Sequence, residues 1–146
     1  ITGLQGYFQF HLMQANHPTF ALFTAIFYMF TETLVMFYFI GSGTAIKKSI
    51  KMGGGEPSLY EKVKKTKMIL FPHLTMNMLF IGTVFILGGA VQTGSVPGWM
   101  HGLLFDLAFI HFLYVIVIQH RGFKENVEII GKIAIIEGTA ANNSPA

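Results

Sequence analysis

Cysteine is absent from the 146-residue sequence, and charged residues make up only 12% of it. Without cysteine, the chain has no disulfide, no thiolate-bound iron–sulfur cluster and no covalently attached c-type haem of its own. Soluble domains carry about 25% charged residues. The low charge, a hydrophobic content of 52% and a mean hydropathy of +0.54 therefore indicate a membrane protein. Nucleic-acid binding is not expected of so apolar a chain.

Sequence motifs of enzymes are also missing. The glycine run at 53–55 lacks the Gly-Lys-Ser/Thr ending of a phosphate-binding loop, and no HExxH pattern is present. No pair of residues is typical of a nucleophile and its base. The sequence leaves open whether the protein is an enzyme.

Three apolar segments are each long enough to cross a bilayer, which takes roughly 20 residues. They are predicted at 19–40, 68–91 and 97–120. Pro18 is a helix-start signal before the first segment, and Gly41 and Gly43 are predicted to end it. The sequence predicts a single-domain, all-α integral membrane protein with three transmembrane helices in contact with the lipid bilayer.

The segments outside the three spans predict the topology. An N-terminal interfacial segment precedes the first span, a short amphipathic helix follows the third, and 138–146 is predicted to be a flexible tail. The loop at 44–67 carries seven lysines and two glutamates, a net charge of +5. Lysine-rich short loops stay in the cytoplasm. We therefore expect a prokaryotic inner-membrane protein with its N-terminus outside and its C-terminus cytoplasmic.

Polar side chains within the spans are the candidate functional residues, since ionisable groups are costly at membrane depth. Counting helical rise places Glu32, Asn77 and His111 at a similar depth, with His73 one turn closer to the cytoplasm. Tyr28 shares a helix face with Glu32, and His73 shares one with Asn77. These side chains are predicted to form one polar layer inside the protein.

Asp106 does not belong to the same helix face. It lies about 140° around the helix from both His101 and His111. We expect it to find a separate partner, such as a residue of another subunit. A homo-oligomer or a larger membrane complex would also help to seal a polar layer within only three spans.

The preferred functional hypothesis is a b-type haem held by two neutral histidines. His73 and His111 are the first candidate pair, and His101 with His11 or His17 is the second. This layout resembles, in outline, the small multi-helix b-type cytochrome subunits of respiratory complexes. The resemblance implies electron transfer within a membrane complex.

Two other interpretations use the same residues. Glu32, His73 and His111 would suit a transition metal, or would pass protons without one. Alternatively the polar layer is purely structural, no cofactor is bound, and the chain is an accessory subunit that packs against larger membrane partners.

Overall fold

The computed structural model describes residues 1–8, 10 and 16–142. Within these residues 90% of the chain is helical and there is no strand. Four helices follow one another: α1 at Thr2–Phe8, α2 at His17–Lys51, α3 at Pro57–Gln92 and α4 at Gly98–Asn142. Helices α2, α3 and α4 are long and apolar enough to cross a membrane, as predicted. His11, a candidate partner of His101, and 143–146 lie outside the described residues.

The helix ends follow from local sequence signals. Asn16 caps α2, because its side-chain Oδ1 accepts a hydrogen bond from the backbone N–H of Thr19 at 3.2 Å. Pro57 opens α3, where its missing N–H is not needed. After α3 the chain turns through Gly94, whose φ of +73° is one that residues with a Cβ rarely adopt. Caps of this kind fix where each long helix begins or ends.

The helices are longer than the apolar segments of the sequence. Helix α2 continues through Gly41 and Gly43 as far as Lys51, and α3 already begins at Pro57. The predicted loop at 44–67 is therefore wrong in extent, because only 52–56 connect the two helices. Lysine, glutamate and methionine are good helix formers, so a polar composition does not by itself end a helix.

The C-terminal part also differs from the prediction of a separate amphipathic helix. Helix α4 is continuous from Gly98 to Asn142, so the third apolar segment and the amphipathic segment form one element. The first five residues of the predicted flexible tail, 138–142, are helical as well. At about 1.5 Å per residue, 45 residues extend roughly 67 Å, more than twice the hydrocarbon thickness of a bilayer.

The chain forms two compact units, each containing a segment of every long helix. Unit 1 comprises Ile1–Thr33 and Leu74–Val115, and unit 2 comprises Leu34–His73 and Ile116–Ala146. Most of the predicted functional residues belong to unit 1. The lysine-rich segments belong to unit 2.

Unit 2 is organised around aliphatic contacts. Ile46, Val63, Ile129 and Ile133 form one buried cluster. Phe39 is fully buried and its ring packs at 5.0 Å from that of Phe123. This packing explains why the helices continue past the apolar segments: the polar extensions carry an apolar face of their own.

Large apolar side chains cover the outer surface of the long helices. Phe23 and Phe27 of α2 are each 72% exposed, and Ile86 of α3 is 71% exposed. Contiguous exposed apolar surface on this scale is unusual in a soluble monomer. It is what contact with lipid requires, and it suggests a membrane location.

Candidate functional site

Four polar side chains of unit 1 meet in one group, which we call the Glu32 cluster: Glu32, Tyr28, Asn77 and His111. Glu32 is 3% exposed and Asn77 is fully buried. Nδ1 of His111 lies 2.9 Å from Oδ1 of Asn77. The amide of Asn77 also contacts the hydroxyl of Tyr28, and Tyr28 is hydrogen-bonded to Glu32. Segments of α2, α3 and α4 thus contribute to one continuous hydrogen-bonded chain.

The direction of these hydrogen bonds follows from what each group can donate. The Asn77 oxygen can only accept, so Nδ1 of His111 carries the hydrogen and donates it. The Asn77 nitrogen donates to the oxygen of Tyr28. The Tyr28 hydroxyl keeps its own hydrogen for Glu32. In the neutral form of a histidine that donates from Nδ1, Nε2 carries no hydrogen.

Two histidines form a second feature of unit 1, the His17–His101 pair. Their ring centroids lie 6.2 Å apart and the ring planes are inclined by 71°. Nδ1 of each ring is buried and has no hydrogen-bond partner among the described residues. The ring of His17 is also hydrogen-bonded to the backbone of Thr2. Buried ring nitrogens without partners are uncommon in folded proteins and call for an explanation.

Two glycines make room for these rings. A Cβ added to Gly6 of α1 would lie 3.0 Å from the His17 ring. One added to Gly88 of α3 would lie 3.2 Å from the ring of His101. Both distances are tighter than ordinary contacts, so each histidine packs against a position where a larger residue would displace it. Sequence inspection did not single out Gly6, although glycine within a helix is a signal of close approach.

Helix α1 lies against both α2 and α4 in unit 1. The Tyr7 hydroxyl is 3.1 Å from each carboxylate oxygen of Asp106, to which it donates. The hydroxyls of Thr2 and Thr24 are 2.8 Å apart. Asp106 therefore has a partner within its own chain, and the expectation that another subunit supplies one is corrected. Desolvation, followed by the hydrogen bond and the charge of Asp106, raises the pKa of Tyr7 above its usual value.

The remaining predicted residues lie elsewhere. His73 is a half-buried residue of unit 2, while its proposed partner His111 belongs to unit 1, so haem ligation by these two histidines stays a prediction. His120 is exposed in unit 2. Tyr7 and Thr2, which contact predicted residues, were missed because nothing in the sequence shows where a seven-residue helix will dock.

The described residues contain no group of three or more His, Cys, Asp or Glu side chains arranged to hold a metal ion. The His17–His101 pair offers two imidazoles, and the Glu32 cluster offers one carboxyl group and one imidazole. Comparison of the chain with protein-family models, curated proteins and solved structures gives no match.

Proposed function

We propose that the chain is an integral membrane protein that binds haem b between His17 and His101 and transfers electrons within the membrane. The observation that carries this proposal is the pair of half-buried imidazoles whose centroids lie 6.2 Å apart, each with a buried Nδ1 that has no hydrogen-bond partner among the described residues.

Insertion is supported by three apolar helices and by the distribution of charge. All ten Lys and Arg residues belong to unit 2, and none to unit 1. Positive residues near the ends of spans stay in the cytoplasm. We infer an inner-membrane location with the turn at 52–56 and the C-terminus in the cytoplasm, and the turn at 93–97 outside.

The absence of native cysteine makes this topology directly testable. We expect Ser95→Cys to react with a membrane-impermeant thiol reagent in intact cells. Met52→Cys, at the other end of α3, should react only after the membrane is permeabilised. Labelling of both positions in intact cells, or of Met52→Cys alone, would contradict the proposed orientation.

The ring spacing suits a shared metal centre. With metal–imidazole bonds of about 2 Å on each side, two rings that face one ion have centroids about 6 Å apart. Each ring presents a buried nitrogen that lacks a hydrogen bond, and the Thr2 backbone holds the His17 ring. Metal-binding histidines commonly use their second nitrogen in such a bond, which fixes the ring orientation.

The number of ligands favours haem over a bare ion. A zinc site takes four ligands, of which the protein supplies at least three. Haem iron already has the nitrogens of the porphyrin, so two imidazoles, those of His17 and His101, would be enough to hold it. Haem supplies one-electron chemistry, while His17 and His101 would hold the iron and set its potential together with the surrounding apolar residues.

A dithionite-reduced minus oxidised visible spectrum of the full chain, purified in mild detergent, tests the proposal. We expect α and Soret bands at near one haem per chain in the wild type and in His120→Ala, whose histidine is exposed. His17→Ala and His101→Ala should lose the bands while retaining their helical circular dichroism. Added imidazole should restore binding to His101→Gly, which separates a lost ligand from a lost fold.

Three results would contradict the proposal, and the first two concern the haem spectrum. One is a flat spectrum from intact wild-type protein after haem has been offered. The other is a haem spectrum that survives in His17→Ala and His101→Ala but disappears in His73→Ala and His111→Ala, which would transfer the site to the other predicted pair. One equivalent of bound copper, iron or zinc without haem bands would likewise replace haem by a bare ion.

A further inference from the structure

Four cationic side chains of unit 2 flank one contact between α3 and α4. The contact is the hydrogen bond that the Thr66 hydroxyl donates to the carboxylate of Glu125. The helices are close there, since a Cβ added to Gly122 would lie 3.1 Å from Thr66. All four cations are exposed and lie within about 6 Å of the contact along the helix axes. We call them the Arg121 surface, which consists of Lys62, Lys65, Arg121 and Lys124.

The Arg121 surface carries positive charge that the chain does not neutralise. Among the described residues, Lys132 is paired with Glu128, and no ion pair includes a cation of this surface. With Lys132, Glu125 and Glu128 included, five cations meet two carboxylates, a net charge of +3. Lys132 lowers the pKa of Glu128 most, through its hydrogen bond and its charge. Smaller contributions from Lys62 and Lys124 show that both cations lie near this carboxylate.

The same two helix faces become apolar one turn away from the cations. On α3, Ile69 follows Lys65 by four residues and is 49% exposed. On α4, Val117 precedes Arg121 by four residues and is 47% exposed. Residues four apart lie on one face of a helix, so each helix carries an exposed apolar side chain next to its cations. A lipid uses both surfaces, whereas a free phosphate or a soluble acidic partner uses only the cations.

We propose that the Arg121 surface binds the headgroup phosphate of an anionic phospholipid, whose acyl chains lie along Ile69 and Val117. The guanidinium of Arg121 can bind two phosphate oxygens at once, and the lysines add compact positive charges. Basic residues at the cytoplasmic end of a span attract anionic lipids in this way. The proposal rests on the membrane insertion proposed above. It does not rest on haem, because His17 and His101 belong to unit 1.

Binding of two fluorescently labelled lipids to the full chain in mild detergent tests the proposal. Phosphatidylglycerol is anionic, whereas phosphatidylcholine has no net charge, and we expect the wild type to prefer phosphatidylglycerol by at least about tenfold. Arg121→Gln combined with Lys124→Gln should reduce this preference by about tenfold or more, since each basic residue at the membrane surface contributes roughly fivefold. Arg121→Lys combined with Lys124→Arg keeps both charges and should retain the preference. Circular dichroism confirms that each variant is folded.

Lys48→Gln combined with Lys51→Gln is the matched control, because it also removes two exposed positive charges from unit 2. Ser49, between these two lysines, is hydrogen-bonded to Glu137. Glu137 stands 12 residues after Glu125 on α4, or about 18 Å along the helix. The control removes charge far from the Arg121 surface and should leave the preference for phosphatidylglycerol nearly unchanged.

Equal binding of the two lipids by folded wild-type protein, or equal losses in the Arg121 and Lys48 variants, would overturn the proposal. So would displacement of phosphatidylglycerol by inorganic phosphate, but not by sodium chloride of equal ionic strength, since a free anion would then satisfy the site. If thiol labelling at Ser95→Cys and Met52→Cys supports insertion while the two lipids bind equally, only this proposal fails. Labelling that contradicts insertion would remove both proposals.

Discussion

Units 1 and 2 share the same three long helices but differ in charge. Unit 2 holds all ten Lys and Arg residues and five of the seven acidic ones, a net charge of +5. Unit 1 has no Lys or Arg, two acidic residues and four of the six histidines, a net charge of −2 with neutral histidines. Unit 2 therefore carries the permanent positive charges, and unit 1 contains most of the histidines, which can change their charge near neutral pH.

The two units also differ in how the side-chain contacts between their helices are arranged. In unit 2 the central contacts are aliphatic and aromatic, as in the Ile46 cluster and around Phe39. In unit 1 a chain of side-chain hydrogen bonds runs between three helices, through the fully buried Asn77. Unit 2 also has side-chain hydrogen bonds between its helices, but they are separate pairs, Ser42–Asn126, Ser49–Glu137 and Thr66–Glu125, whereas those of unit 1 form one connected chain.

The largest expected effect is the loss of aromatic packing in unit 2. Phe39 is fully buried, and Gly122 and Phe123 lie against it. Truncation of a buried phenylalanine leaves a cavity, and we expect Phe39→Ala to lower the free energy of unfolding by about 3 kcal/mol. Denaturation in mild detergent, followed by circular dichroism, measures it. Phe37→Ala is the control, because Phe37 is 63% exposed and should change stability little.

Loss of the polar link in unit 1 should come next in size. Asn77→Ala removes the acceptor of His111 and the donor to Tyr28, and leaves both half-buried groups without that partner. The expected loss is about 2 kcal/mol in the same assay. Met76→Ala, at a 47% exposed position of the same helix, is the control. Equal stability of the two variants would mean that the polar chain does not join the helices.

Asn126 is a buried asparagine of unit 2 that can be compared directly with Asn77. Asn126 is 2% exposed and donates to the hydroxyl of Ser42 at 2.6 Å. Asn126→Ala removes this single hydrogen bond, whereas Asn77→Ala removes two. We therefore expect Asn126→Ala to lower the free energy of unfolding by about 1 kcal/mol, less than Asn77→Ala. If Asn126→Ala were the more damaging change, unit 2 would depend on polar links as much as unit 1.

The sequence predicts the three apolar segments well but not the length of the helices. The sequence predicts a helix end at Gly41 and Gly43, yet Gly43 is a packing position. A Cβ there would lie 3.0 Å from the Lys67 ammonium and 3.3 Å from Val63. A glycine that ends a helix and one that admits a neighbour are identical in sequence. Only tertiary contacts distinguish them.

The candidate site, like the fold, is predicted only in part from the sequence. Helical depth and facing suggested that Tyr28, Asn77 and His111 belong together, and the structure brings these three side chains into one hydrogen-bonded chain. Periodicity within a helix carries that information. Helical periodicity gives no information about where α1 docks. The sequence therefore suggests another subunit as the source of a partner for Asp106, whereas Tyr7 of the same chain supplies one.

The smallest expected effect concerns this α1 contact, where both partners are exposed. Tyr7→Phe removes the hydrogen bond to Asp106 and should lower stability by about 0.5 kcal/mol at neutral pH. The raised pKa of Tyr7 gives the sign of the pH dependence. Its contribution is complete below the unfolded-state pKa of about 10 and is lost as the pH rises through the higher folded-state value.

The stability difference between wild type and Tyr7→Phe should therefore be constant from pH 7 to about pH 9 and shrink above about pH 10. Asp106→Asn measured alone and together with Tyr7→Phe completes a double-mutant cycle that isolates the pair. A coupling energy near zero would show that α1 is held by its other contacts, such as that of Thr2 with Thr24. A positive coupling that fades at alkaline pH would show that unit 1 uses a titratable hydrogen bond even at its surface.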